Sequence, residues 1–295
     1  MHGAMKTRAL GVSTGISVSA IGLGCMPLSL EGRPSKREAI RVLHAAFEAG
    51  VSLVDTADVY CIDDNDTGHN ERLIAAALAK WPGRAKITVA TKGGLVRPGG
   101  AWICRGNPRH LRAACEASLK ALGVDAITLY QLHAPDDDVP LEESVGALAD
   151  LRREGKIQHI GLSNVGLAEL RRARAMAPIV SVQNRLSIFD RQDLRSGLVD
   201  ACAAEGLAYL AYGPVGGMKG KVRTAQDGLL RELAEARGVS TFRIALAWLL
   251  ERSPSIIPIP GATRAASIVD SAAAADLELT GDERARLDAA FPVEV

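Results

Sequence analysis

The chain has few of the features that assign a protein to a class on their own. Its five cysteines, Cys25, Cys61, Cys104, Cys115 and Cys202, are odd in number and contain no CxxC pair. That argues against a disulfide framework and a zinc ribbon, and no metal site is expected. There is no GxGxxG, and GPVGGMKGK fails the phosphate-loop pattern, so a Rossmann domain is not expected. No apolar run approaches the roughly 18 residues of a membrane span. MHGAMKTRAL lacks a hydrophobic signal core, and we expect a cytoplasmic protein with no membrane partner. A net charge of +1, with basic residues spread along the chain, gives no electrostatic case for nucleic acid. Asn65-Asp66-Thr67 fits a glycosylation sequon, which without a secretion signal is read as chance. Repeats, Pro-rich linkers and low-complexity tracts are missing, apart from a short alanine run at 272–275.

What is present is a large apolar fraction, 47% of 295 residues, arranged in alternation. Short β-branched runs occur at 17–24, 51–56, 87–92, 127–133, 157–163, 179–184, 207–212 and 255–260. Continuous apolar runs of this kind suit parallel strands covered on their outer face. Amphipathic stretches separate them. Ser35-Lys36-Arg37-Glu38 and Thr280-Gly281-Asp282-Glu283 read as capping boxes, and Asn107-Pro108 as an N-cap followed by a first-turn proline. Leu111, Cys115, Ser118/Leu119 and Leu122 form one apolar stripe, and Leu141, Val145, Leu148 and Leu151 another. Eight β and α units without a linker predict a (β/α)8 TIM barrel as one domain over 1–295. KTRALGVSTGISVSA, with turn residues at Ser13-Thr14-Gly15, predicts an N-terminal β-hairpin in front of it. Two helical stretches within 229–251 predict extra helices near the C-terminus.

Four polar residues stand at or just past strand ends: Asp55, Tyr60, Lys92 and His133. In a barrel, strand C-termini converge on one mouth. An acid, a phenol, an amine and an imidazole gathered there make a proton-transfer site. Tyr60 is the best general acid, and its ordinary pKa of about 10 is expected to fall beside the Lys92 ammonium. Asp55 would hold and neutralise Lys92, and His133 would orient a carbonyl or share the proton. Taken singly, each has a bland reading: a loop hydrogen-bonder, a salt-bridge partner, a rim aromatic or a satisfied polar group. Together, on consecutive strands, they favour chemistry.

The stretches DTADVY, ATKGG, LYQLHAPD, HIGLSN and IPIPGATR, in that order, resemble the aldo-keto reductase family over about residues 6–290. The resemblance implies reduction of aldehydes or ketones, or the reverse alcohol oxidation, with Tyr60 as proton donor and Lys92, Asp55 and His133 in support. It implies a nicotinamide dinucleotide laid across the barrel mouth. Ser163, Asn164 and Gln183 would bind the carboxamide, and Tyr212 would stack on the ring, although a core or rim aromatic is the alternative for Tyr212. In the stretch 213–223, Gly213, Pro214, Val215 and Gly217 allow close approach to a pyrophosphate, and Lys219, Lys221 and Arg223 carry charge; a flexible loop with solvated charges is the alternative. Gly261, Thr263, Arg264, Ser267 and Ser271 would hold the adenosine phosphate, with Arg264 selecting a 2′-phosphate.

The chain departs from the family pattern in two places. A lysine near Gly261 and an arginine near Ser267, common in NADPH-specific relatives, are absent. Ser271 replaces an asparagine, and Asp270 adds a negative charge. NADPH remains the expected cofactor and NADH the alternative. After Tyr60, Cys61 replaces the usual glycine, and Asp63, Asp64 and Asp66 follow. These carboxylates would meet a polyhydroxylated or amine-bearing substrate, or form a solvated loop capped at Asn70. Trp102 would wall the pocket or merely pack its loop. The expected partner is a small carbonyl or sugar-like molecule, and the sequence sets no oligomeric state. Two other functions stay open: a Schiff-base aldolase with Lys92 as nucleophile, and a non-catalytic nucleotide-sensing subunit.

Overall fold

The computed structural model describes residues 5–293, except the side chains of Met218 and Lys219. A hairpin of β1 (Thr7–Ala9) and β2 (Ser17–Ser19) comes first. Then follow β3 (Leu23–Gly24), β4 (Leu53–Asp55) and β5 (Thr88–Gly93). A small antiparallel hairpin of β6 (Leu95–Val96) and β7 (Ile103–Cys104) interrupts the series. It resumes with β8 (Ile127–Leu132), β9 (Ile157–Ser163), β10 (Ile179–Arg185), β11 (Ala208–Tyr212) and β12 (Ile256–Ile259). The eight strands β3, β4, β5 and β8–β12 lie parallel in chain order. The sheet closes on itself through a parallel bridge between Gly24 and Gly261, and Gly22 N donates to Pro258 O at 2.9 Å. Closure needs glycine here: a Cβ on Gly24 would lie 2.7 Å from Ile259 O. The fold is the (β/α)8 barrel expected from the alternating pattern.

The helices are α1 (Lys36–Glu48), α2 (His69–Leu78), α3 (Pro108–Leu122), α4 (Leu141–Arg153), α5 (Leu167–Arg174), α6 (Gln192–Arg195), α7 (Leu198–Ala204), α8 (Gly217–Gln226), α9 (Gly228–Arg237), α10 (Thr241–Arg252), α11 (Ala265–Ala272) and α12 (Gly281–Ala290). Both capping boxes form, at the starts of α1 and α12, and Asn107 accepts from His110 N at 2.9 Å to open α3. Leu141, Val145, Leu148 and Leu151 are all buried against the outer face of the sheet.

Inside the barrel, Leu53, Ala90, Leu129, Leu210 and Ile257 form an apolar floor. Leu10 and Val18, from the N-terminal hairpin, pack onto this floor and seal it. Fully burying such side chains contributes about 1.5–3 kcal/mol each. Successive strand residues alternate between faces. Two positions further along β4, β5 and β8 therefore lie Asp55, Lys92 and Gln131, above the apolar floor.

Two boundaries differ from the sequence reading. The run 17–24 is two strands, not one: Ser17–Ser19 pairs backwards with Thr7–Ala9, and only Leu23–Gly24 joins the barrel. The stretch 213–223 is not a loop throughout: α8 begins at Gly217, so three helices, not two, separate β11 from β12. Glycine has low helix propensity, which hides α8 in the sequence.

Candidate active site

The strand register brings the four predicted side chains together. Asp55 pairs with Ala90, and Lys92, two residues on, pairs with Gln131. Lys92 Nζ is fully buried and lies 2.7 Å from Asp55 Oδ2, 2.9 Å from Thr56 O and 2.9 Å from Tyr60 Oη. Asp55 Oδ1 accepts from Gln183 Nε2 at 2.7 Å, with Gln131 Nε2 further off at 3.4 Å. Desolvating an ion pair costs several kcal/mol per ion, and only a geometry that meets the remaining donors and acceptors offsets it. Here every N–H of the ammonium has a partner. The Tyr60 ring stands edge-on to His133 at 5.7 Å, and Trp102 is edge-on to both, at 6.4 and 6.3 Å.

Burial governs how these groups titrate. It pushes the Tyr60 phenol well above its usual value, and the Asp55 carboxylate adds to the rise. The expectation that Lys92 would lower the phenol is therefore corrected: loss of water outweighs the nearby ammonium. Burial also lowers the Lys92 ammonium, against the opposing pull of Asp55. It drives His133 well below the ordinary imidazole value, helped by the Lys92 charge. His133 is thus neutral at neutral pH, and its buried Nδ1 has no hydrogen-bond partner among the described residues.

The predicted cofactor residues occupy the opposite side of the mouth. Ser163 ends β9, and Asn164 follows with φ 57°, the one positive φ among described non-glycine residues. Asn164 Nδ2 donates to His133 O at 2.9 Å, and Tyr212 Oη donates to Asn164 Oδ1 at 2.8 Å. Gln183, assigned to a carboxamide, is buried and turned inward to Asp55. Gly213 and Gly216 take positive φ ahead of α8, and a Cβ on Gly216 would meet Gly220 C at 2.5 Å. Pro214 is buried, Val215 and Gly217 half-buried and Lys221 exposed. Arg223 stacks on Phe189 at 4.1 Å, and the side chain of Lys219 lies outside the described residues. Gly261, Thr263 and Arg264 are exposed at the start of α11, Ser267 is half-buried and Ser271 buried. Thr263 and Arg264 line a cleft of about 440 Å³ with Arg41 of α1, a residue not singled out from the sequence. Asp270 is neutralised: its Oδ1 accepts from Arg243 Nη2 at 2.6 Å.

The substrate candidates divide. Trp102 is 46% exposed at the mouth beside Tyr60. Cys61 is buried, its thiol facing Val59 O at 3.2 Å and pushed up to about 11 by burial. Asp63 accepts from Asn65 N at 3.0 Å within its own turn, Asp64 is exposed, and Asp66 pairs with Arg33. Asn70 does not cap that loop; α2 starts at His69 after Gly68. It is a fully buried link, donating to Cys25 O at 2.8 Å and Ser29 Oγ at 2.7 Å and accepting from Thr56 Oγ1 at 2.6 Å.

Sequence reasoning missed Gln131 and Glu71. Gln131 was legible as the period-two position between Leu129 and His133. Glu71 falls on the buried face of α2, in step with Ile74 and Leu78, and accepts from Thr91 Oγ1 at 2.6 Å. Burial raises its carboxyl, and also that of Asp58, where the Glu71 charge adds to the effect.

A model of the aldo/keto reductase family matches residues 20–291. The chain is similar to a thermostable aldo-keto reductase, Tm1743, solved with the inhibitor epalrestat: 29% identity over 97% of this chain and 99% of that one, TM-score 0.82. It is similar to the glycerol dehydrogenase of Gluconobacter oxydans, at 28% identity over 97% and 96%, TM-score 0.82. It is also similar to an aldo-keto reductase of Klebsiella pneumoniae in complex with NADPH, at 27% identity over 98% and 96%, TM-score 0.82. With the family model spanning the barrel from its first strand to its last helix, the chain belongs to the aldo/keto reductase family and is an NAD(P)-dependent oxidoreductase.

Proposed function

We propose that the chain reduces aldehydes and ketones with NADPH, or oxidises the corresponding alcohols in reverse, with Tyr60 as the proton donor. The observation that carries this reading is the Lys92 ammonium held between Asp55 at 2.7 Å and the Tyr60 hydroxyl at 2.9 Å. Because burial holds the phenol above its ordinary value, Tyr60 stays protonated at neutral pH and has a proton to give. Once the proton leaves, the phenolate faces an ammonium, and a hydrogen bond to a charged group contributes about 1.5–3 kcal/mol. Asp55, held by Gln183, keeps that ammonium in place. Neutral His133 orients the carbonyl oxygen and leaves the protonated Tyr60 to supply the proton.

The residues present fit a nicotinamide dinucleotide. Polar side chains end β9 and β10, the half-buried Tyr212 offers a ring, and the start of α11 offers backbone donors beside Arg264. When bound, the nicotinamide supplies the hydride to the carbonyl carbon. NADPH is favoured because two arginines, Arg41 and Arg264, line the cleft at α11 against one carboxylate, Glu38, and because Arg243 takes up the charge of Asp270. The Klebsiella pneumoniae relative solved with NADPH supports the same choice. The aldolase alternative loses support, because Lys92 Nζ is buried and all its donors are engaged.

A panel of neutral, charged and sugar aldehydes, run with NADPH and with NADH and followed by cofactor absorbance, tests the proposal. Turnover is expected with NADPH. Failure to consume either cofactor with any carbonyl would reject it.

A further inference from the structure

We infer that the mouth selects carbonyl compounds that carry a carboxylate, and that Arg97 is the group that recognises it. The inference rests on the reductase reading for the word substrate, but the binding site stands on its own geometry. Arg97 follows β6 and is 7% exposed. Its Nη2 donates to Cys61 O at 3.3 Å and Ile62 O at 3.1 Å, the two residues that follow Tyr60. Its guanidinium carbon lies 3.9 Å from the centre of the Trp102 ring, and that ring is edge-on to both Tyr60 and His133. One aromatic side chain therefore links this cation to the reacting phenol.

No carboxylate among the described residues answers the charge of Arg97. Its Nε and Nη1 are buried and have no acceptor among the described residues. Arg243 and Arg252 also have an unpartnered buried Nε, but each holds a carboxylate, Asp270 at 2.6 Å and Asp288 at 2.8 Å. Arg97 has two carbonyls and an aromatic face instead. These are favourable contacts that do not neutralise a cation, and a desolvated charge without a counter-ion is costly. What the environment lacks is an anion. A carboxylate matches the planar guanidinium, and a flat body attached to it can lie along Trp102. Trp102, 46% exposed, covers Arg97 and is the side chain that must yield as the ligand enters. The carbonyls of Cys61 and Ile62 fix Arg97 relative to Tyr60, so a carboxylate held there sets the distance at which the reducible carbonyl meets the phenol.

The test measures binding of benzoate and its uncharged counterpart benzamide by calorimetry, with the full chain. Benzoate is expected to bind at least tenfold more tightly. Arg97→Met should erase the difference, and Arg97→Lys, which keeps the charge, should retain part of it and guards against loss of fold. Turnover of 4-carboxybenzaldehyde should exceed that of its methyl ester at least tenfold in kcat/KM, and Arg97→Met should lower the first while leaving the second within about threefold. Equal binding of benzoate and benzamide, or discrimination that survives in Arg97→Met, overturns the inference. Equal losses on both aldehydes would overturn it too, and would make Arg97 a positioning residue for the turn after Tyr60. Discrimination in binding without turnover of any aldehyde would instead reject the reductase reading and leave the carboxylate site standing.

Discussion

On the side of the mouth built from β4, β5 and β8, Asp55, Tyr60, Lys92 and His133 are 2%, 7%, 0% and 8% exposed, with Tyr60, Lys92 and Asp55 bonded in a chain. On the side built from β11, β12 and α11, Tyr212 is half-buried and Lys221, Thr263 and Arg264 are exposed. In the proposed function the sealed side controls protonation, which requires exclusion of water, and the open side admits and releases the dinucleotide, which requires access. Two residues join them: Gln183 reaches Asp55, and Asn164 connects the His133 carbonyl to the Tyr212 hydroxyl.

The sharpest way to break this comparison is Tyr60→Phe. Loss of a general acid lowers turnover by about 10²–10⁴-fold. We expect that loss in kcat, with NADPH affinity unchanged by fluorescence titration; a matching loss of affinity would mean the two sides are not separable. Next comes Lys92→Met, which leaves Asp55 as a buried carboxylate without its cation. Urea unfolding should register about 3–5 kcal/mol of destabilisation. Arg264→Ala supplies the contrast. Its stability should stay within about 0.5 kcal/mol, as for an exposed residue. NADPH binding should weaken about tenfold more than NADH binding, or about 1.4 kcal/mol, and equal losses would reject Arg264 as the selector.

Asn164 tests the join. Alanine in a left-handed conformation costs about 1–2 kcal/mol. Asn164→Ala should therefore be less stable than Asn164→Gly, while both lose the link from His133 to Tyr212. Identical stabilities would remove the strain argument. The smallest effect concerns pH. The folded-state value of His133 lies well below the imidazole reference of 6.5, so the unfolded chain takes up a proton first as pH falls. Stability is thus unaffected by this group above about pH 6.5 and declines below it, by about 1.4 kcal/mol for each unit of pH. His133→Gln should flatten that decline by one proton's worth; the slope that remains combines the lowered His69, His110 and His159 with the opposing contribution of the raised Asp58 and Glu71 carboxyls. An unchanged slope would mean that His133 is not neutral in the folded protein.

Legibility differed between the same two sides. Asp55, Lys92 and His133 could be read because each is the charged or imidazole side chain that closes a largely apolar run, and period-two alternation tells which way it points. Tyr60 could be read by its distance from Asp55. On the open side, reading was weaker. Gly216 and Gly217 suggested a loop where α8 begins, and Gln183 could be assigned to a strand end but not to its partner Asp55, 128 residues away. Asn70 looked like a cap because caps are local features. Its actual partners, Cys25, Ser29 and Thr56, come from two other segments.

The sequence by itself determined the barrel, the helix caps and which side chains are proposed to react, because apolar alternation and capping depend on neighbours a few residues apart. Tertiary structure alone decided their states. Burial set the phenol high and the imidazole neutral, and folding brought Asp270 to Arg243. It also left Arg97 beside Trp102 without a carboxylate among the described residues. These outcomes depend on which distant segments exclude water from a group, and that is fixed only when the barrel closes.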